Sequence, residues 1–286
     1  MPAQWQPFSR ATINWNRMIL DFSYFPAANR VSGRFGPDGL SVLFTDRHGR
    51  RVDLTAVRSF WWRRPQSLVP DPNIVDQPAR EFALQESLSA LYGILRVCPG
   101  LWVNDTEHNQ NADLKPRQLA TMQRLGLSSP ETLITNDPDE ALAFFNRHDG
   151  QAFNQRGLIW LPTRRLTAAD LAHLHQLPCS PVIFQRYIDG VRDIRVTIAG
   201  NAVLASEFSI EHAGHVDHRM IMHNASCALH RLPPTVGRDV LALVRGLHLE
   251  YGSVDLRLTH ARDYVFFELN TAGEFLYLQD RTGSAH

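Results

Sequence analysis

Lysine is almost missing from this chain. Of its 29 basic residues only Lys115 is a lysine, so a phosphate site built on a lysine ammonium has one place to draw it from. Cysteine is scarce as well. Cys98, Cys179 and Cys227 are odd in number, widely scattered and without a Cys-x-x-Cys partner, which argues against a disulfide framework and suits reduced thiols in a cytosol. Excess charge is also absent: 29 acidic residues balance 29 basic ones, so no global field would draw in nucleic acid or an anionic membrane. No apolar run approaches the ~20 residues needed to cross a bilayer. The opening Met1-Pro-Ala-Gln-Trp-Gln-Pro7 lacks the basic and apolar regions of a signal peptide, and a cytoplasmic location is expected. Internal repeats and low-complexity tracts are lacking too.

What remains is an ordinary globular composition, 44% apolar and 20% charged over 286 residues, enough for two or three packed subdomains. Strands are expected at Met18 to Phe22, Leu40 to Thr45 and Ser59 to Trp62, then a Pro-rich stretch and a helix from about Ala79 to Leu95. Asn104 to Asn111 reads as a polar loop and marks a boundary near residue 110. Helices follow at Ala112 to Leu125, stopped by Gly126, at Glu140 to His148 and at Ala168 to Gln176, with a strand at Glu131 to Thr135. Gln151 to Leu161 reads as strand–loop–strand. From Val182 strands dominate (Val182 to Tyr187, Ile194 to Ile198, Ala202 to Glu207), and a helix from Gly237 to Leu247 precedes a final pair. Short helices on antiparallel strands give an α+β class.

That final pair is the most informative part of the chain. Ser253-Val-Asp-Leu-Arg-Leu-Thr259 and Tyr264-Val-Phe-Phe-Glu-Leu-Asn270 alternate strictly and are joined by His260-Ala-Arg-Asp263. An even closure sets Thr259 opposite Tyr264 and Asp255 opposite Glu268. Val254, Leu256 and Leu258 then share a core face with Val265, Phe267 and Leu269. The other face carries Asp255, Arg257, Glu268 and Asn270. Facing carboxylates repel by roughly 0.2–1 kcal/mol. A hard cation such as Mg²⁺ removes that conflict and accepts these oxygens alongside phosphates; Arg257 neutralising a solvated acidic face is the plainer alternative.

Other residues invite a chemical reading. Lys115 opens a helix, where its charge and free backbone N–H groups suit phosphate. Phe184-Gln-Arg-Tyr-Ile188 leaves a strand, and backbone groups at such an exit can bind a flat heterocycle. Asp193 suits a ribose hydroxyl and Arg195 a phosphate or acyl phosphate, unless the two merely pair with each other at i, i+2. His212, His215, His218 and His223 have no accompanying thiolate, so their segment reads as a polar gate loop rather than a zinc site. Of Trp61 and Trp62, one is expected in the core, with Arg63 and Arg64 turned outward.

Taken in order, Trp62-Arg-Arg-Pro65, Lys115-Pro-Arg-Gln-Leu119, Leu125-Gly-Leu-Ser-Ser-Pro-Glu-Thr132, Thr135-Asn136, Gln185-Arg-Tyr-Ile188, Asp193-Ile-Arg195, Val216-Asp-His-Arg219, Asp255 and Glu268-Leu-Asn-Thr-Ala-Gly-Glu-Phe275 form a recognisable series. From about Trp61 onward the chain resembles the ATP-grasp ribosomal peptide maturases, the graspetide or microviridin-type macrocyclases. The resemblance implies an ATP-grasp fold, two α+β subdomains clasping ATP, preceded by a shortened N-terminal α/β domain. Its domains would be 1–110 (pre-ATP-grasp), 111–186 (central) and 187–286 (catalytic). It implies ATP and Mg²⁺ as cofactors, and a precursor peptide, leader and core, as partner; a homodimer is common among relatives. A peptide carboxylate would be phosphorylated and attacked by a Ser, Thr or Lys side chain, giving a lactone or lactam. By position Lys115 would touch ATP phosphates, Gln185, Arg186, Tyr187 and Ile188 would line the adenine pocket, and Asp193 would lie near the ribose. Asp255, Glu268 and Asn270 would bind Mg²⁺, Arg195 would stabilise the acyl phosphate, and Asp217 and Arg219 would approach the core peptide. Ala202 to Glu207 would meet the leader. The relatives' second phosphate lysine, placed at Gln151-Ala-Phe-Asn154, has no counterpart here. A glutamate-adding type of amino-acid ligase and a leader-binding pseudoenzyme are the competing expectations.

Overall fold

The structure, a computed structural model, describes residues 17–148, 152–155, 164–209 and 226–282, and among these lie seven α-helices and fourteen strands. The chain divides into two compact units. One runs to Asn111 and takes in Leu249–Tyr251; the other holds Ala112–His248 and the chain from Gly252 onward.

In the first unit, β1 (Arg30–Gly36), β2 (Gly39–Thr45) and β3 (Arg51–Asp53) form an antiparallel sheet. The β1–β2 turn closes with Gly36 opposite Gly39, whose φ of 103° suits a residue without Cβ. β4 (Ser59–Trp61) pairs in parallel with β5 (Leu101–Val103), and α1 (Gln77–Arg96) lies between them in sequence. α1 starts where the Asp76 carboxylate accepts the Ala79 N–H at 2.9 Å, with Pro78 in its first turn. Its Leu91 and Leu95 join Val42, Phe44, Leu54 and Trp62 in one core. Trp62 is thus the core tryptophan, while Trp61 is 54% exposed.

Two expectations change here. Met18 to Phe22 is not a strand; a 3-10 turn at Phe22–Tyr24 begins where the Asp21 carboxylate accepts the Ser23 N–H. Asn104 to Asn111 is mostly helix, α2 (Thr106–Ala112), started by Asp105, whose oxygen accepts the N–H groups of Glu107 and His108. The buried stripe of α2 is Thr106, Asn109 and Ala112, too polar to register as an apolar period. Asn104 is buried beside it. Its Oδ1 accepts the N–H groups of Glu250 and Tyr251, and its Nδ2 donates to the Tyr251 carbonyl.

The second unit opens with α3 (Lys115–Arg124), then β6 (Thr132–Thr135), α4 (Pro138–Arg147), β7 (Ala152–Gln155), β8 (Arg164–Arg165), α5 (Ala168–Leu171) and β9 (Val182–Arg186). The four strands form a sheet in the order β6-β9-β7-β8, and Ala141, Phe144, Leu166, Leu177 and Phe184 pack together as a core. The expected helix to Gln176 is shorter: a 3-10 segment, Leu174–Cys179, replaces its second half, and Pro178 lies within it. Next come β10 (Arg192–Ala199), β11 (Ala202–Ser209), β12 (Cys227–Leu229), α6 (Pro234–Gly246), β13 (Tyr251–Leu258), β14 (Tyr264–Asn270) and α7 (Leu276–Thr282). These strands form a five-stranded sheet in the order β12-β11-β10-β13-β14. Alternation divides its central strands. Ile194, Val196 and Ile198 of β10 and Val254, Leu256 and Leu258 of β13 are buried apolar residues, while α6 packs on β10 and α3 packs on both β14 and α6. Between those apolar positions, β10 and β13 carry charge.

The β13–β14 hairpin sets Asp255 opposite Glu268, but by another route than even closure. Leu258, not Thr259, faces Tyr264, so the turn takes in Thr259 as well. A bulge next to Asp255 and Leu256 then skips Phe267 and restores the register. One extra residue on each side cancels the other. The bulge also exchanges two phenylalanines: Phe266, opposite Leu256, is the core residue at 3% exposure, whereas Phe267 lies against the Arg257 guanidinium, 5.2 Å from ring centroid to Cζ.

Candidate functional site

Two crossed ion pairs hold the polar positions of β10 and β13. Arg195 donates from Nε to Asp255 Oδ1 and from Nη2 to Asp255 Oδ2, both at 2.9 Å. Arg257 donates from Nε to Asp193 Oδ1 at 2.7 Å and from Nη2 to Asp193 Oδ2 at 3.0 Å. The sequence left open a pair between Asp193 and Arg195 on one strand. The structure pairs each across to the neighbouring strand instead, because residues two apart on a strand stand roughly 7 Å apart, beyond the reach of a two-pronged contact. All four side chains are buried. Burial works against the charge of Arg195, but the Asp255 carboxylate more than offsets it and holds the guanidinium protonated well above its ordinary range. Its Nη1 donates to the Tyr277 hydroxyl of α7 at 3.2 Å. Burial pushes that hydroxyl up, by more than the Arg195 charge pulls it down.

Glu268 has its own cation. Lys115 Nζ lies 3.5 Å from Glu268 Oε2 and donates to the Phe267 carbonyl at 2.7 Å. The repulsion expected between Asp255 and Glu268 is therefore relieved inside the chain, by Arg195 for one and Lys115 for the other. A cation between them is not needed to explain the fold. α3 grips the same strand a turn later, where Gln118 accepts the Leu269 N–H at 3.0 Å and donates to the Leu269 carbonyl at 2.8 Å. Asn270, exposed, sits opposite Ser253. A side chain on Gly273 would run into Ser253, so the turn after β14 closes tightly over that position.

Among the described residues no three His, Cys, Asp or Glu side chains gather as a metal cluster. The oxygen set offered is two carboxylates in register and one amide, Asp255, Glu268 and Asn270. Mg²⁺ typically takes one or two carboxylates and completes its shell with water and phosphate. By donor chemistry the three residues fit.

The strand exit lies on the other side of Arg257. Gln185 is buried and donates to Thr132 Oγ1 at 3.0 Å, across the β6–β9 pair. Arg186 is exposed, and its N–H donates to the Glu131 carbonyl. Tyr187 is half-buried, and Ile188 is buried with its carbonyl accepting from Arg257 Nη1 at 2.8 Å. Asp193 follows at the start of β10. Its oxygens are engaged by Arg257. Lys115, Asp255, Glu268 and Arg195 thus come together on one side, with Ile188 and Asp193 joined to them through Arg257. Asp217, Arg219 and the four histidines of the gate segment lie outside the described residues. Tyr277, Gln118 and Gly190 carried no signal in the sequence as site residues. Arg257 did, but as a neutraliser of its own strand.

No protein-family model and no curated protein matches the chain by sequence. Solved structures do match. The Chryseobacterium gregarium RiPP-associated ATP-grasp ligase, in complex with ADP and a leader and core peptide, superposes with a TM-score of 0.83 at 23% identity, over 92% of this chain and 83% of that one. The fold is that of the ATP-grasp ligases. The macrocyclase MdnC of Microcystis aeruginosa, bound with precursor peptide MdnA, gives a TM-score of 0.80 at 24% identity over 92% of this chain and 84% of that one. The ATP-grasp ligase PsnB, complexed with a precursor variant, Mg and ADP, gives 0.73 at 22% identity over 93% and 84%. In this fold the five-stranded sheet carries the carboxylate hairpin and the four-stranded sheet the strand exit.

Proposed function

We propose that this ATP-grasp chain is an ATP-dependent ligase that cross-links side chains of a ribosomal precursor peptide. The observation that carries the reading is the hairpin that sets Asp255 against Glu268, with Lys115 and Arg195 supplied to them from α3 and β10. Similar folds bound to precursor peptides and ADP support it. The chain to residue 110 serves as the pre-ATP-grasp domain, 111–186 as the central subdomain and 187–286 as the catalytic one. The protein acts in the cytosol.

Asp255, Glu268 and Asn270 would hold Mg²⁺, whose charge neutralises the transferring phosphoryl group. Lys115 holds the phosphates from the side of Glu268. Gln185, Arg186, Tyr187 and Ile188 line the adenine, and Asp193 lies near the ribose. The γ-phosphoryl group passes to a peptide side-chain carboxylate, giving an acyl phosphate and ADP. A hydroxyl or amine of the same peptide attacks the acyl carbon, loses its proton and displaces phosphate. Arg195, fixed and permanently charged, stabilises that acyl phosphate by the charge-assisted bonds a guanidinium fork offers. By the resemblance, Asp217 and Arg219 would act on the core peptide, and Ala202 to Glu207 would meet its leader.

Incubation with cognate precursor, Mg²⁺ and ATP should release ADP and give a peptide lighter by one water per cross-link, read by mass spectrometry. ADP release that needs a free amino acid and no peptide, or no ADP with any cognate precursor, would overturn the reading.

A further inference from the structure

Arg257 is fully engaged within the sheet, and none of the roles above is its own. Its three nitrogens are all engaged, two on the Asp193 carboxylate at 2.7 and 3.0 Å and one on the Ile188 carbonyl at 2.8 Å. Its guanidinium stands over Phe267, 5.2 Å from the ring centroid, and Phe267 is the bulge residue whose carbonyl accepts from Lys115. The methylene stem is confined as well. A Cβ on Gly190 would lie 2.6 Å from Arg257 Cγ and 2.7 Å from the Leu258 carbonyl, so the chain between β9 and β10 passes directly over it. The next N–H, of Val191, donates to that same Leu258 carbonyl at 2.8 Å. One side chain therefore touches the exit of β9, the start of β10 and the bulge of β14.

We propose that Arg257 is a positioning residue of the ligase reaction: by clamping the Ile188 carbonyl and the Asp193 carboxylate against β13, it sets the spacing between the nucleotide-lining segment and the acidic hairpin. It does not itself touch nucleotide or peptide. Asp193 is the other half of the clamp, and the same contact holds it in its place beside the ribose. A guanidinium suits the task because its planar fork meets a carboxylate with two N–H groups and leaves a third for the carbonyl. The inference rests on the nucleotide reading of that segment.

The test measures Mg·ADP affinity by calorimetry, and KM and kcat in the peptide assay, for Arg257→Lys, Asp193→Asn, their double variant and Gly190→Ala. Gly190→Ala presses on the Arg257 stem without altering any charge. Each single variant should weaken Mg·ADP binding and raise KM for ATP by about tenfold, a displacement of roughly 1.4 kcal/mol. In Arg257→Lys and Gly190→Ala the kcat at saturating ATP and the KM for peptide should stay within about twofold. The double variant should be no weaker than either single one, because partners in one contact do not add. A merely structural role predicts the reverse: a lower melting point and fewer active molecules, with unchanged nucleotide affinity in those that fold. Wild-type ADP affinity in Arg257→Lys, or additive losses in the double variant, would overturn the proposal. Should Arg257→Lys fail to fold, wild-type affinity in both Asp193→Asn and Gly190→Ala would do so. A wild-type protein that binds Mg·ADP but cross-links no precursor removes the ligase reading alone, and the ADP constants then decide this one.

Discussion

At the scale of single residues, charge placement decides what each variant does. Glu268 is half-buried and faces Lys115 rather than a packed core. Glu268→Gln should therefore leave the fold intact and abolish peptide-dependent ADP production; circular dichroism and a nucleotide assay on one sample check both, and wild-type turnover would refute the site. Arg195 is the opposite case. Its removal leaves Asp255 buried without its two charge-assisted bonds, and breaking one side of a buried pair costs about 3–5 kcal/mol. Arg195→Ala should thus lower the urea midpoint of the second unit as well as activity, and the additional change Asp255→Asn should restore part of that stability while activity stays lost.

A strand element can correct its own register. Deleting Phe267 removes the bulge, and the five-residue turn, Thr259–Asp263, is left without its compensating residue. A one-residue slip carries Glu268 to the other face of the strand. The Phe267 deletion should lose ADP production and soluble yield together, whereas Phe267→Leu keeps the residue count, the register and the carbonyl that Lys115 uses. Equal activity in both variants would show that the bulge does not set the carboxylates.

At the scale of the whole molecule, the two units have separate cores, and the thiols report on them separately. Cys98 is buried in the first unit beside Leu91 and Leu95, while Cys179 in the second is exposed. Burial pushes the Cys98 thiol up, and the Asp53 carboxylate adds to the shift. The folded value is thus the higher one. Stability from the neutral thiol is whole below its ordinary value of 9.0 and is lost as pH rises through the folded value. A thiol probe should modify Cys179 at once and Cys98 only as the first unit unfolds. The denaturant midpoint for Cys98 labelling should fall at alkaline pH and stay level across the neutral range; equally fast labelling of both would refute the burial.

Much of this protein was legible in order and pattern. The alternation of β13 and β14, the apolar periods of α1 and α4, and the series of short motifs gave the α+β class and the ATP-grasp resemblance, and similar solved structures share that fold. These signals are local: a strand shows its faces at i, i+2 and a helix at i, i+3 and i+4, whatever lies elsewhere. Choice of partner is not local. Arg195 finds Asp255 at 60 residues' separation, Arg257 finds Asp193 at 64, and Gln118 finds Leu269 at 151. The sequence supplied the two acids and two guanidinium groups and left open whether they paired along one strand. Only the docking of β10 beside β13, driven by the apolar faces beneath them, crossed the pairs, because a buried charge must take whichever opposite charge the neighbouring strand brings within hydrogen-bond reach.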